Sequence, residues 1–208
     1  MDNVIIDTSA ITQDALGYLR DKNTDIRLFR YYADRVAFSL MQFALTEKDL
    51  VNKNIETPVG GTTIQQLQGK FVFVTILRAG LAMLPAALHI IPTAPVGFLG
   101  LKRDEETAVA QEYYRNLPSI DSDTTVILAD PMLATGGSML HTLTQIASYN
   151  PKEIRVVTVI CAPEGIAKVQ EKFPDSTIVT AAVDEKLNDK KYIVPGLGDF
   201  GDRYFGTE

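Results

Sequence analysis

Apolar residues recur along this chain in two rhythms. Five runs are continuous or nearly so rather than alternating: KFVFVTILR (70–78), APVGFLGL (94–101), TTVILAD (124–130), EIRVVTVICA (153–162) and STIVTAAV (176–183). Runs of this kind suit strands covered on both faces, as in a parallel sheet lying between helical layers. Three of the gaps hold helix-compatible segments: AGLAMLPAALHI after the first run, GGSMLHTLTQIASYN after the third and PEGIAKVQEKF after the fourth. Strand, helix, strand at this spacing predicts crossover units, and so an α/β fold whose mostly parallel sheet is flanked by helices.

The N-terminal third follows the second rhythm. Residues 23–45, NTDIRLFRYYADRVAFSLMQFAL, set Ile26, Phe29, Arg30, Ala33, Val36, Ala37, Leu40 and Ala44 on one mostly apolar helix face, expected to cover the sheet or a subunit partner. After it, 51–67 (VNKNIETPVGGTTIQQL) has β-prone pieces on either side of Gly60 and Gly61, the pattern of a β-hairpin arm. The end of the chain, 192–207 (YIVPGLGDFGDRYFGT), is too rich in glycine for a helix or central strand and predicts an ordered loop. No repeat or linker interrupts the chain, so residues 1–208 are expected to form a single domain.

Composition narrows the function. Twenty Lys and Arg against 26 Asp and Glu give a net charge of −6, so no general basic field favours nucleic acid, and an anionic ligand needs a local site. The single cysteine, Cys161, excludes an internal disulfide and suits a reducing compartment. The acidic start MDNVIIDTSAITQD is unlike a secretory leader, and no apolar run approaches the ~18 residues of a membrane span; a cytoplasmic location is expected, with neither membrane nor nucleic acid as partner.

The chemistry concentrates in ADPMLATGGS. If 126–129 end a strand and Gly137 opens a helix, Asp130, Pro131, Met132, Leu133, Ala134, Thr135, Gly136, Gly137 and Ser138 lie at the carboxyl end of a parallel strand, where open α/β sheets bind ligands. The two glycines let backbone approach an anion, helix-start amides donate to it, and Thr135 and Ser138 add hydroxyls. Asp130 would repel phosphate but suits the hydroxyls of a sugar, so a sugar phosphate satisfies the whole turn. The segment lacks the lysine of a P-loop and the three glycines of a dinucleotide fingerprint. Taken alone, ATGGS is equally an ordinary helix start.

The flanking sequence adds weight. DPMLATGGS resembles the donor-binding loop of type I phosphoribosyltransferases in the form found in uracil phosphoribosyltransferases. ILRAGLAML (76–84), LKRDEET (101–107), APEGI (162–166), LN (187–188) and YIVPGLGDFGDRYFGT follow in the order and spacing of that family. The resemblance implies the type I phosphoribosyltransferase fold with an N-terminal helical segment, a β-hairpin arm and a C-terminal base-binding loop. It implies conversion of uracil and 5-phospho-α-D-ribose 1-diphosphate (PRPP) to UMP and diphosphate in pyrimidine salvage. It assigns Arg78, and Arg103 in preference to Lys102, to the diphosphate of PRPP, residues 130–138 to its ribose and 5′-phosphate, and Asp199 to the side of the donor and its Mg2+, which is held mainly through PRPP. Uracil falls to Ile193, Gly198, Asp199 and Phe200, largely through backbone groups. The family also implies a homo-oligomer, dimer or tetramer, and in some members activation by GTP. Two alternatives stay open: a nucleotide-sensing regulator that kept the fold, and a transferase for another base.

Two positions depart from the family pattern. Phe200 stands where GDAGD has alanine, and Lys191 where glycine precedes the tyrosine of YI. A phenyl ring at a base-contacting position stacks, narrows the pocket or turns away, and the sequence leaves these open. His89 and His141 read as helix residues rather than ligands, and Cys161 as a small buried apolar side chain.

Overall fold

The computed structural model describes residues 3–103 and 110–207. The chain begins with a short strand, β1 (Val4–Ile6), and two helices, α1 (Ala10–Arg20) and α2 (Ile26–Phe43). An antiparallel hairpin follows, β2 (Leu50–Glu56) with β3 (Gly61–Leu67). Next come β4 (Lys70–Leu77), a 3₁₀ segment at Ala79–Met83 that leads into α3 (Leu84–Ile90), β5 (Val96–Arg103) and β6 (Ala110–Asn116). The central turn lies in β7 (Thr124–Ala129), β8 (Met132–Leu133) and α4 (Gly137–Ala147). The chain ends through β9 (Glu153–Cys161), α5 (Pro163–Lys172), β10 (Thr177–Val183), β11 (Lys186–Leu187), β12 (Ile193–Val194) and α6 (Phe200–Phe205).

The main sheet runs β1-β10-β9-β7-β4-β5-β6, with β8 continuing along β9. Its pairs are parallel except β5 with β6. Along β4, Phe71 and Phe73 join one core while Val72, Val74 and Ile76 join the other, which is the two-sided burial that continuous apolar runs signalled. One face is covered by α1, α2 and the segment Ala82–Ala87, and the other by α4 and α5.

This order creates a switch point. From β4 the chain crosses to β5 on one side, and from β7 it crosses to β9 on the other, so β4 and β7 are neighbours whose connections diverge. The crevice beyond their carboxyl ends is where such sheets accommodate ligands.

Helix α2 resolves the question left by its apolar face. Phe29, Ala33, Val36, Ala37, Leu40 and Met41 are buried against the sheet's own core. Ile26 and Arg30, expected on that face, are exposed, and Arg30 instead donates Nε–H to the Tyr204 carbonyl at 2.8 Å. The hairpin arm is rooted by Arg155, only 2% exposed, whose guanidinium donates to Asp49 (2.6 and 3.1 Å), to Glu153 (2.7 Å) and to the Ala44 carbonyl (2.8 Å).

The C-terminal stretch corrects the expectation of a plain loop. Asp199 caps α6 by accepting the Asp202 N–H at 2.9 Å, and Gly206 closes the helix at φ 73°. The glycines did mark turns, but a six-residue helix fits between them.

Candidate active site at the ends of β4 and β7

The turn after β7 is built as its sequence suggests. The Asp130 N–H still donates to Val157 on β9 at 3.1 Å, and the Pro131 carbonyl accepts from Val159 and Ile160, so a local bulge separates β7 from β8. Met132 and Leu133 then rejoin β9, and Leu133 is buried in the core. Gly136 stands at φ 75°, a left-handed conformation that suits glycine, and Gly137 opens α4. The Gly137 N–H reaches Thr135 Oγ1 at a long 3.5 Å, and amides at a helix start can turn to an anion.

A glycine on the next helix seats this turn. A Cβ at Gly165 in α5 would lie 2.4 Å from the Ala134 carbonyl oxygen and 2.7 Å from that of Leu133. Gly80 plays the same part across the crevice, where a Cβ would lie 2.2 Å from Thr75 Oγ1 and 2.9 Å from the Ala129 carbonyl oxygen. The role of Gly165 was missed in the sequence, although a glycine inside a helical pattern is itself a sign of close backbone approach.

Between the turn and the C-terminal loop lies a cavity of about 340 Å³. Asp130, Met132, Ala134 and Ser138 border it from one side, and Ile193, Gly198, Asp199 and Phe200 from the other. Thr135 faces an adjoining cavity of about 390 Å³, shared with Glu164, Lys168 and Lys191. The structure therefore gathers most of the expected site residues. Arg78 stands at the rim, next to Ala79 of the cavity wall, with its side chain 61% exposed and its Nη2 3.4 Å from Asp202 of α6. The peptide bond between Leu77 and Arg78 is cis. The Arg103 side chain lies outside the described residues, as do 104–109 of LKRDEET.

Two carboxylates dominate the electrostatics. Asp130 accepts no hydrogen bond among the described residues, and its carboxyl is pushed up to about 8, first by loss of solvent and then by the charge of Asp199. An acid so placed suits a hydroxyl donor or a hard cation. The facing pair fits a magnesium ion, although the described residues hold no group of three or more His, Cys, Asp or Glu positioned for a metal. Oxygen ligands from a substrate would complete its shell.

Elements distant in sequence hold the C-terminal loop. Arg20 of α1 forms a two-pronged pair with Asp184 (2.9 and 2.5 Å) and donates to the Gly196 carbonyl at 2.8 Å, while the Gly196 N–H donates to Asp184. Arg203 donates to the Leu19 carbonyl, to Leu197 (2.7 Å) and to Asp21 (2.7 Å), and lies over the Phe29 ring at 4.3 Å. These anchors were not recognised in the sequence, since nothing local links residues more than 160 positions apart.

Phe200 packs into the core beside the cavity. The residue is 1% exposed, and its ring meets Phe29 edge-on at 5.1 Å and stacks on Tyr204 at 6.2 Å. His89 packs edge-on to Phe38, and His141 Nε2 pairs with Glu112 at 2.8 Å. Burial pushes the Cys161 thiol up to about 12, consistent with a packing role.

Comparison with known proteins agrees with this geometry. A solved structure, "Structure of AQ2163 protein from Aquifex aeolicus", superposes with TM-score 0.92 at 38% identity, covering 99% of each chain. The fold alone is shared with adenine phosphoribosyl transferase from Trypanosoma brucei, TM-score 0.61 at 13% identity over 92% of this chain and 87% of that one. A parallel sheet with a glycine turn and paired acids at its switch point defines a type I phosphoribosyltransferase. Residues 5–207 match the family described as uracil phosphoribosyltransferase, and a relative of that name from Shouchella clausii (strain KSM-K16) is 46% identical over 200 residues, 95% of each chain. The chain belongs to the uracil phosphoribosyltransferase family, pentosyltransferases of pyrimidine salvage.

Proposed function

We propose that this chain transfers the phosphoribosyl group of PRPP to N1 of uracil, forming UMP and diphosphate. The observation that carries the reading is the juxtaposition, across one cavity at the switch point, of the Asp130 turn and the Ile193–Gly201 loop. The first suits a sugar phosphate and the second a flat ligand with alternating donors and acceptors.

In this reaction the N1–C1 bond forms, uracil gives up its N1 proton to solvent and the bond from C1 to the diphosphate oxygen breaks, so positive charge grows on the ribose and negative charge on the leaving group. Catalysis then rests on holding the two reactants in line and stabilising those charges. Amides and hydroxyls of Thr135, Gly136, Gly137 and Ser138 hold the 5′-phosphate. Asp130 accepts from the ribose hydroxyls, which replace the lost solvent and favour its ionised form. Arg78, with Arg103, takes charge on the diphosphate; the reach of Arg78 from its loose contact with Asp202 supports this. Backbone groups of Ile193 and Gly198–Phe200 orient uracil, held rigid by the Arg20 and Arg203 anchors. Mg2+, when bound, supplies further neutralisation of the diphosphate, with Asp130 and Asp199 the residues that fit it.

The same reading takes residues 1–208 as one domain, acting in the cytoplasm as a homo-oligomer, with GTP as a candidate effector. In support, no described helix is long and apolar enough to cross a membrane. An exposed cluster of Tyr31, Phe38 and Phe43 on the outer side of α2 offers a surface for a second subunit. Incubation with PRPP, Mg2+ and each of uracil, cytosine, orotate, hypoxanthine and xanthine tests the assignment. UMP alone is expected; another nucleotide overturns the base assignment, and no product despite donor binding favours a regulator.

A further inference from the structure

We infer that Lys191 binds the donor's 5′-phosphate, standing beside the glycine turn as the cation that the turn itself lacks. This deepens the proposed function and rests on its placement of the phosphate at residues 135–138.

Three lysines border the two cavities among the described residues, Lys190 the first, Lys168 the second and Lys191 both. DPMLATGGS holds no basic residue, and the carboxyls of Asp130 and Asp199 line the same cavity. Backbone amides supply only partial charges to a phosphate that carries nearly two negative ones. Lys191 borders both the cavity of Asp130 and Ser138 and the adjoining one of Thr135 and Lys168, and so lies on the wall common to the two sides of the turn. Its ammonium makes no ion pair among the described residues. It does act on Glu164, whose carboxyl is held below its ordinary value first by the Leu187 N–H and, more weakly, by the Lys191 charge.

The backbone at Lys191 sharpens the point. The residue sits at φ 65°, in the left-handed region, within a turn tied at three places: Asn188 Oδ1 accepts from Lys190 N–H (3.0 Å) and Tyr192 N–H (2.9 Å), and the Lys191 N–H donates to the Asn188 carbonyl (2.8 Å). Glycine satisfies such a turn without strain, so the turn gains nothing from a lysine. A strained residue next to a ligand site is retained for its side chain. The same turn fixes where the flexible stem begins, so the ammonium is tethered beside the phosphate position.

Lys191→Gly relieves the turn and removes the charge, which separates the two roles. Calorimetric titration with ribose 5-phosphate should show binding to K191G weakened about five- to tenfold, with a shallower salt dependence than wild type. In steady-state assays KM for PRPP should rise in step while KM for uracil stays within about twofold, and the melting temperature should not fall. K191R should bind ribose 5-phosphate nearly as wild type does. Equal binding of ribose 5-phosphate by K191G and wild type, or equal rises in both KM values, overturns the inference while leaving the enzyme assignment intact. Conversely, a wild type that binds ribose 5-phosphate through Lys191 yet forms no UMP would sink the proposed activity and uphold the phosphate contact.

Discussion

Replacing Asp130 with asparagine should make the free protein more stable and the enzyme nearly inactive. Between the ordinary aspartate value near 3.9 and about 8, the folded protein retains a proton that the unfolded chain has released. Stability contributed by this group is therefore fully present at low pH and declines as pH rises toward 8, the reverse of a salt-bridged carboxylate. At about 1.36 kcal/mol per pH unit, the span amounts to ~6 kcal/mol. Asp130 opens onto a cavity that water enters, which reduces the loss to ~2–3 kcal/mol. Asparagine has no charge to desolvate and does not confront Asp199. Urea unfolding of ligand-free wild type and D130N from pH 5 to 8.5 should show the variant ahead by ~2 kcal/mol at pH 8, the gap narrowing toward pH 5. Turnover should fall by at least about 100-fold, because the ribose hydroxyls lose an ionised acceptor. A variant no more stable than wild type at pH 8, or an advantage independent of pH, refutes the reasoning.

Three further outcomes follow from the packing around the site. Phe200→Ala empties a buried ring position and should cost about 3 kcal/mol, yet leave KM for uracil within about twofold, whereas a ring stacked on the base would make uracil affinity collapse. Arg78→Ala should lower kcat/KM by about 100- to 1,000-fold while changing unfolding free energy by less than ~1 kcal/mol, since its ion pair with Asp202 is long and exposed. Arg20→Ala strands Asp184, whose side chain is 4% exposed, and should cost ~3 kcal/mol; it should also raise KM for uracil more than KM for PRPP, measured with each substrate varied in turn.

What the sequence reveals is what local pattern determines. The five core strands were legible because burial on both faces leaves continuous apolar runs, and the strand-to-helix turn after β7 because an acid and two glycines mark where the one ends and the other starts. Strand β6, AQEYYRN, was not, since an edge strand with polar faces lacks that signature. In β1 three residues are too few to establish any period. A helix signal did exist in the tail, where Asp199 and Gly206 bracket α6, but its glycines and Pro195 masked it. The orientation of Phe200 depends on Phe29 and Tyr204, and the rigidity of the base loop on Arg20; both are long-range facts. Of the two departures from the family pattern, Phe200 is thus a matter of packing, whereas Lys191 stays at the site.

The fastening of residues 196–203 to α1 also has a consequence on the ribosome. The carbonyls of Leu19 and Asp21 emerge early, but the guanidinium that engages them belongs to Arg203. At about 5–20 residues per second, some 10–35 seconds of translation separate the two. During that interval the apolar face of α2 lacks Phe200 and the clasp over Phe29, so the nascent chain exposes a sticky helix that holding chaperones would shelter. The cavity wall from Ile193 to Gly201 thus takes its place only after every strand of the main sheet has been made.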